Sequence, residues 1–189
     1  MSNRQMVIDS GFFGTSADKI FKIDSIASKD ELELIVSTAE NLDIWDPVGQ
    51  DDIWKNRMSD GQRLFDSSPE TYNLIDEICN RLTEKVSEFY QTEISLNGVC
   101  IARWFPGNLQ DPHSDMAGYG DNEIGSIVYL NDSYTGGQTY FPQHDIELNP
   151  VAGNAFAWPG DEYYMHGVKE ITSGVRYTLP IFWKVIKDD

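Results

Sequence analysis

A mainly β fold with flanking helices is the class this sequence predicts, and three features carry the prediction. From Glu93 onward, runs rich in β-branched and aromatic residues alternate with Gly, Asn, Asp and Pro turns. That is the pattern of about eight short strands in a barrel or sandwich. Ahead of them stand two capped segments with helical spacing. Finally, 189 residues with 40% hydrophobic content fit one core, and a barrel or sandwich of that length need not be divided. We expect a single domain over residues 1–189, with helical and strand support at 19–92 and a β core at 93–186.

In chain order, the pattern is ambiguous up to Asp18, and Lys19 to Ile26 then alternates like a strand. Ser28 and Glu31 form a capping box ahead of an apolar run, so a helix opens there and ends near Leu42. A polar segment with isolated tryptophans follows, from Asp43 to Asp66. Ser68-Pro69 starts a longer helix, proline in its first turn, that reaches Gln91. Leu74, Ile75, Ile78, Leu82 and Val86 give that helix one buried stripe. Gly136-Gly137 and Asn149–Asn154 read as turns in the β region, and Val175 to Val185 as its longest extended run. Thr139 begins a strand and packs, and His144 follows a proline-bounded turn facing solvent. Cys79 and Cys100 fall in a helix and a strand, so free buried thiols are expected.

A net charge of -17 argues against a nucleic-acid backbone as partner, since phosphate binding wants a basic surface. It favours basic or neutral partners, or serves solubility alone. No apolar run is long enough for a membrane span. Met1-Ser2-Asn3-Arg4-Gln5 lacks the apolar core of a signal peptide, so a cytoplasmic protein is expected.

The chain has three histidines, and two of them enter the most informative constellation. His113-Ser114-Asp115 places an imidazole and a carboxylate on one face of an extended backbone. His166 arrives from a distant strand. Two imidazoles and one carboxylate make the facial triad of a non-haem Fe(II) centre, which leaves positions open for substrate and oxygen. Taken singly, a surface His-x-Asp is more often a turn with a local hydrogen bond, and a buried His is usually a satisfied core residue. Arg176 follows His166 across a Thr-Ser-Gly turn, and a hairpin there would return it beside the His166 strand. An inward guanidinium needs an anion. A small-molecule carboxylate held by its fork, with Thr178 on the same face, would serve; an edge arginine in a surface ion pair is the other reading.

Arg103-Trp104-Phe105-Pro106-Gly107, His113-Ser114-Asp115, Tyr129-Leu130-Asn131-Asp132, Gly136 to Pro142, His166-Gly167-Val168 and Arg176-Tyr177 occur in that order. Together they resemble the prolyl 4-hydroxylase branch of the Fe(II)- and 2-oxoglutarate-dependent dioxygenases. The resemblance implies a double-stranded β-helix (jelly roll) with the N-terminal helices packed on one face. It implies Fe(II) on His113, Asp115 and His166, and 2-oxoglutarate on the metal with its far carboxylate at Arg176. Related halogenases have a small residue where this chain has Asp115, so an alcohol is the implied product. Many relatives place a tyrosine where Trp104 and Phe105 stand, and some a threonine where Pro180 stands. Thr178 and Tyr129 are therefore the expected replacements for those hydroxyls, and Trp104 is either a further cosubstrate contact or a core aromatic on an inward strand face.

The implied reaction is prolyl hydroxylation of a peptide, consuming O2 and 2-oxoglutarate and yielding succinate and CO2, with ascorbate a candidate accessory. Hydroxylation of another residue or of a small molecule would use the same ligands. The 43–61 segment, with Trp45, Trp54, Asp51 and Asp52, and the loop from Pro112 to Ile124 are candidate substrate loops. Their acidity suggests a proline-rich peptide carrying Lys or Arg; ordinary solvated loops are the plainer reading. Two rival classes remain: a jelly-roll metalloprotein not using 2-oxoglutarate, which would not need Arg176, and an inactive binding module, which would not need an open iron site.

Overall fold

The structure, a computed structural model, describes residues 9–49, 54–117 and 121–186. Both expected helices begin at their caps. Ser28 Oγ accepts from the Glu31 N–H while the Glu31 carboxylate accepts from the Ser28 N–H, closing the box ahead of α1 (Lys29–Asn41). A short α2 (Gly61–Ser67), capped by Asp60, was not foreseen in the polar segment. It offers under two turns of periodicity, and its one sequence signal is the Asp60 cap. The long α3 (Pro69–Tyr90) starts at Ser68 and stops where Gln91 turns left-handed, at φ 53.

The strands are β1 (Phe21–Ile23), β2 (Ile94–Val99), β3 (Ala102–Trp104), β4 (Gln110–His113), β5 (Ile124–Tyr129) and β6 (Thr135–Gly136). They continue with β7 (Thr139–Phe141), β8 (Ile146–Glu147), β9 (Ala155–Pro159), β10 (His166–Val168), β11 (Ile171–Ser173) and β12 (Arg176–Val185). The region after Glu93 is thus cut more finely than expected, because β6 and β8 are two-residue pairings too short to alternate visibly. The expected strand from Lys19 shrinks to β1, Ala17–Lys19 being a 3-10 turn.

Two antiparallel sheets face each other in a jelly roll. The larger runs β1-β9-β5-β12-β2 with β3 also on β12, and the smaller β4-β10-β7-β8. Alternation along β12 divides its side chains between two environments. Tyr177, Leu179, Ile181 and Trp183 face the helices, in one core with Ile35 of α1 and Ile78, Leu82 and Val86 of α3. Arg176, Thr178, Pro180 and Phe182 face the space between the sheets. Trp183 also donates its indole N–H to Thr83 Oγ1, tying sheet to helix. No described helix is long and apolar enough to cross a membrane. Cys79 and Cys100 are free, Cys79 buried and Cys100 half-buried, and burial pushes both thiols up to about 12.

The expected hairpin from β10 to β12 does not form. β11 pairs with β6 instead, and the chain crosses at Gly174 (φ 76) into the larger sheet, where Arg176 pairs with Trp104. His166 and Arg176 therefore belong to opposite sheets and look at one another across the interior.

Candidate active site

A cavity of about 410 Å³ lies between the sheets, and the predicted triad and Arg176 both line it. His113 closes β4 and His166 opens β10, and the two are register partners. Asp115 lies just beyond β4, in a bend rather than on an extended strand; Ser114 Oγ, donating to the Gly160 carbonyl, anchors that bend. The result still places all three groups together. Asp115 Oδ1 is 3.8 Å from His113 Nε2 and 3.7 Å from His166 Nε2, and the possible ligand atoms of the three residues lie within 4.8 Å of one another.

The nitrogens are oriented as metal binding requires. His113 Nδ1 meets the Asp111 carbonyl at 3.2 Å and His166 Nδ1 the Tyr164 carbonyl at 3.1 Å. A carbonyl only accepts, so each Nδ1 carries the proton and each Nε2 keeps its lone pair. Burial holds His166 neutral, down to about 4, and burial together with His166 lowers His113. Burial raises the Asp115 carboxyl to about 6, opposed by His113 and the Trp158 hydrogen bond. Two neutral imidazoles and one carboxylate, with no fourth side-chain ligand among the described residues, fit an open Fe(II) site better than a closed zinc site.

Arg176 is 0% exposed. Its Nη2 donates to Thr139 Oγ1 at 3.1 Å, while Nε and Nη1 have no hydrogen-bond partner. The guanidinium lies over the rings of Trp104 and Tyr129. A buried cation with two spare donors fits an incoming carboxylate. Thr178, 1% exposed, stands beside it on the cavity wall. Trp104 is 3% exposed and lines the cavity with its Nε1 unbonded. Tyr129 reaches the same place at one remove, donating its phenol to Thr139 Oγ1 at 3.2 Å. Thr139 was expected only to pack; its hydroxyl is instead the acceptor shared by Arg176 and Tyr129.

The candidate substrate residues separate. Trp54 lines the cavity, edge-on to Trp104, with the Arg57 guanidinium over both rings. Trp45 is a core residue at 5% exposure, paired with Ser59 and covered by the Arg103 guanidinium at 3.7 Å, so it is not an open anchor. The apolar Ile44-Trp45 pair draws this stretch into the helical core. Asp51 and Asp52 lie outside the described residues. His144 is half-buried against Tyr164 and bonded to the Tyr163 carbonyl rather than turned to solvent. Sequence reasoning also missed Trp158 and Gly125, which hold Asp115; period-2 alternation along β9, putting Trp158 on the face of Phe156, was the available signal.

Residues 100–184 match the family model of the 2OG-Fe(II) oxygenase superfamily. The chain carries a 2OG-Fe(II) oxygenase domain. The fold of the chain is similar to that of solved prolyl hydroxylases. Among solved structures, the domain is similar to the viral collagen prolyl hydroxylase of Paramecium Bursaria Chlorella virus-1 in its 2OG complex. That match has 17% identity and a TM-score of 0.66, covering 90% of this chain and 98% of that one. A Pseudomonas putida prolyl-4-hydroxylase matches at 17% identity and TM-score 0.61, over 90% and 87%. A Trichoplax adhaerens prolyl hydroxylase in complex with a hypoxia inducible factor peptide fragment matches at 14% and 0.63, over 89% and 84%. No curated protein matches the sequence. The family implies Fe(II), 2-oxoglutarate and O2 for this domain.

Proposed function

We propose that this oxygenase hydroxylates a peptidyl substrate, with proline the leading target residue. One observation carries the reading: Arg176, fully buried with two nitrogens unbonded, faces the His113, Asp115, His166 cluster across one cavity. A jelly-roll metalloprotein without 2-oxoglutarate would have no use for that cation.

In this reading the two Nε2 atoms and Asp115 Oδ1 hold Fe(II). The far carboxylate of 2-oxoglutarate takes the Arg176 fork, with the Thr178 hydroxyl and Trp104 N–H as further donors. Tyr129 acts through Thr139, keeping its hydroxyl oriented. Bound iron would supply the oxidation, activating O2 for insertion into a C–H bond as 2-oxoglutarate becomes succinate and CO2. The two sheets and the Trp54–Trp104 pair keep water from the arginine end.

Two points favour a neutral peptide residue as target. Among the described lining residues, the charged groups are those of the triad and Arg176, and one fold relative was solved with a peptide. Trp54 is the candidate anchor at the wall. Asp51, Asp52 and the net charge of -17 favour Lys or Arg elsewhere in a proline-rich peptide. Ascorbate as accessory reductant, a cytoplasmic setting, one domain over 1–189 and no nucleic-acid or membrane partner complete the proposal.

The test is succinate formation by anaerobically Fe(II)-loaded protein given 2-oxoglutarate and air, with and without a proline-rich, lysine-containing peptide. Peptide-dependent succinate, with one oxygen gained on proline by mass spectrometry, is expected. Succinate indifferent to that peptide would overturn the proposed substrate. None at all, with iron bound, would overturn the role given to Arg176.

A further inference from the structure

Asp115 presents its two oxygens to different surroundings. Oδ1 lies between the imidazoles of His113 and His166. Oδ2 points into a slot and accepts a hydrogen bond from Trp158 Nε1 at 3.0 Å, both side chains being buried. Gly125 forms the opposite wall. A Cβ there would come within 2.0 Å of Oδ2 and 3.0 Å of Trp158 Nε1. The glycine is not at positive φ, so space rather than backbone conformation demands it. Gly125 and Trp158 are register partners across β5 and β9, so one rung of the sheet builds the whole slot. Trp158 is itself wedged, edge-on to Phe141 at 5.3 Å and beside His166 at 4.6 Å between ring centroids.

A carboxylate free to turn can grip a metal through both oxygens. That would fill a position which an oxygenase must leave for its reactants. We propose that the Gly125–Trp158 rung commits Asp115 to offering a single oxygen, Oδ1, and that Trp158 is a positioning residue which thereby keeps the metal site open. The inference rests on the reading of His113, Asp115 and His166 as metal ligands. No bond is made or broken by Trp158; it holds Oδ2 occupied.

The first arm uses the unaltered protein with Zn(II), a diamagnetic probe, and follows the Trp158 indole N–H by NMR, assigned by its nuclear Overhauser contacts to the adjacent Gly125 α-protons. Slow hydrogen exchange at that N–H is expected both without metal and with Zn(II) bound. Exchange as fast as that of an exposed indole once Zn(II) is bound would overturn the proposal, because it would mean that Oδ2 had left the slot. The second arm titrates Co(II) into the unaltered protein and into Trp158→Phe, with far-UV circular dichroism as the check on folding. An altered Co(II) visible spectrum is expected, with affinity changed by roughly tenfold or more, downward if the freed carboxylate is merely misplaced and upward if its second oxygen joins the metal. Affinity within about twofold and an unchanged spectrum would overturn it. Failure of the unaltered protein to bind either metal would instead overturn the ligand assignment itself, and the slot's role with it. Should Trp158→Phe not fold, the exchange arm decides alone.

Discussion

Arg176 is a liability for folding and an asset for binding, and the two effects predict opposite responses to one substitution. A buried guanidinium with two unbonded nitrogens costs stability. Arg176→Met keeps the length and removes the charge, so the metal-free variant should melt no lower than the parent. In the proposed site the same change would remove two charge-assisted hydrogen bonds to the cosubstrate. At ~1.5–3 kcal/mol each, 2-oxoglutarate binding should weaken by more than about a hundredfold, while metal affinity holds. Calorimetry with each ligand separates the two; unchanged 2-oxoglutarate affinity would remove Arg176 from the site. The triad predicts a pH effect of definite sign. Burial raises Asp115 to about 6 and lowers His166 to about 4, so between those values the imidazole is neutral and the carboxyl still protonated. Metal must then displace the Asp115 proton. Fe(II) affinity should be flat above pH 6 and fall about tenfold per unit below it, with one proton released per metal near pH 5; a midpoint near 4 would assign the proton to His166 instead. That His113, Asp115, His166 and Arg176 would meet at one cavity was legible in sequence, because few residue types suit the proposed chemistry and their spacing is restrictive. Thr139, Trp158 and Gly125 were not, since a hydroxyl, an indole and a missing side chain acquire their roles only through a partner that folding supplies.

The short β10 is hemmed in on both sides. It lies between β4 and β7, and at its centre a Cβ on Gly167 would meet the Gln110 carbonyl at 2.6 Å and the Tyr140 ring at 2.8 Å. Gly167→Ala should therefore cost about 1–3 kcal/mol, the usual range for overpacking. It should also weaken metal binding, because His166 is the neighbouring residue. Gly98→Ala is the control: nothing lies within 4 Å of its added carbon, and stability should stay within about 0.5 kcal/mol. Equal melting temperatures for the two variants would refute the argument. The capped helices were readable because local chemistry starts them, and Ser28→Ala should cost α1 about 1 kcal/mol. The β10–β12 connection was misread because turn residues announce that the chain reverses, not which sheet receives it. Gly174 sends the chain across the sandwich, and that crossing is what sets Arg176 opposite His166 instead of beside it.

Across the whole molecule, charge and cavity act on different parts of a substrate. The net charge is -17, yet the described cavity wall carries no carboxylate beyond Asp115. The acidity therefore lies outside the cavity, and for the proposed basic peptide it would act at a distance, raising the encounter rate without touching the residue to be oxidised. Such steering is screened, the Debye length falling from about 30 Å at 0.01 M salt to about 10 Å at 0.1 M. For a lysine-containing, proline-rich peptide, kcat/KM should fall steeply as salt rises over that range while kcat stays constant. The same peptide with its lysines replaced by glutamine should show a nearly flat profile and meet the basic one at high salt. A salt-sensitive kcat would place the acidic groups in the reacting pocket itself. Equal salt profiles for the two peptides would mean that the charge serves solubility and that selection is made by the neutral wall and Trp54 alone.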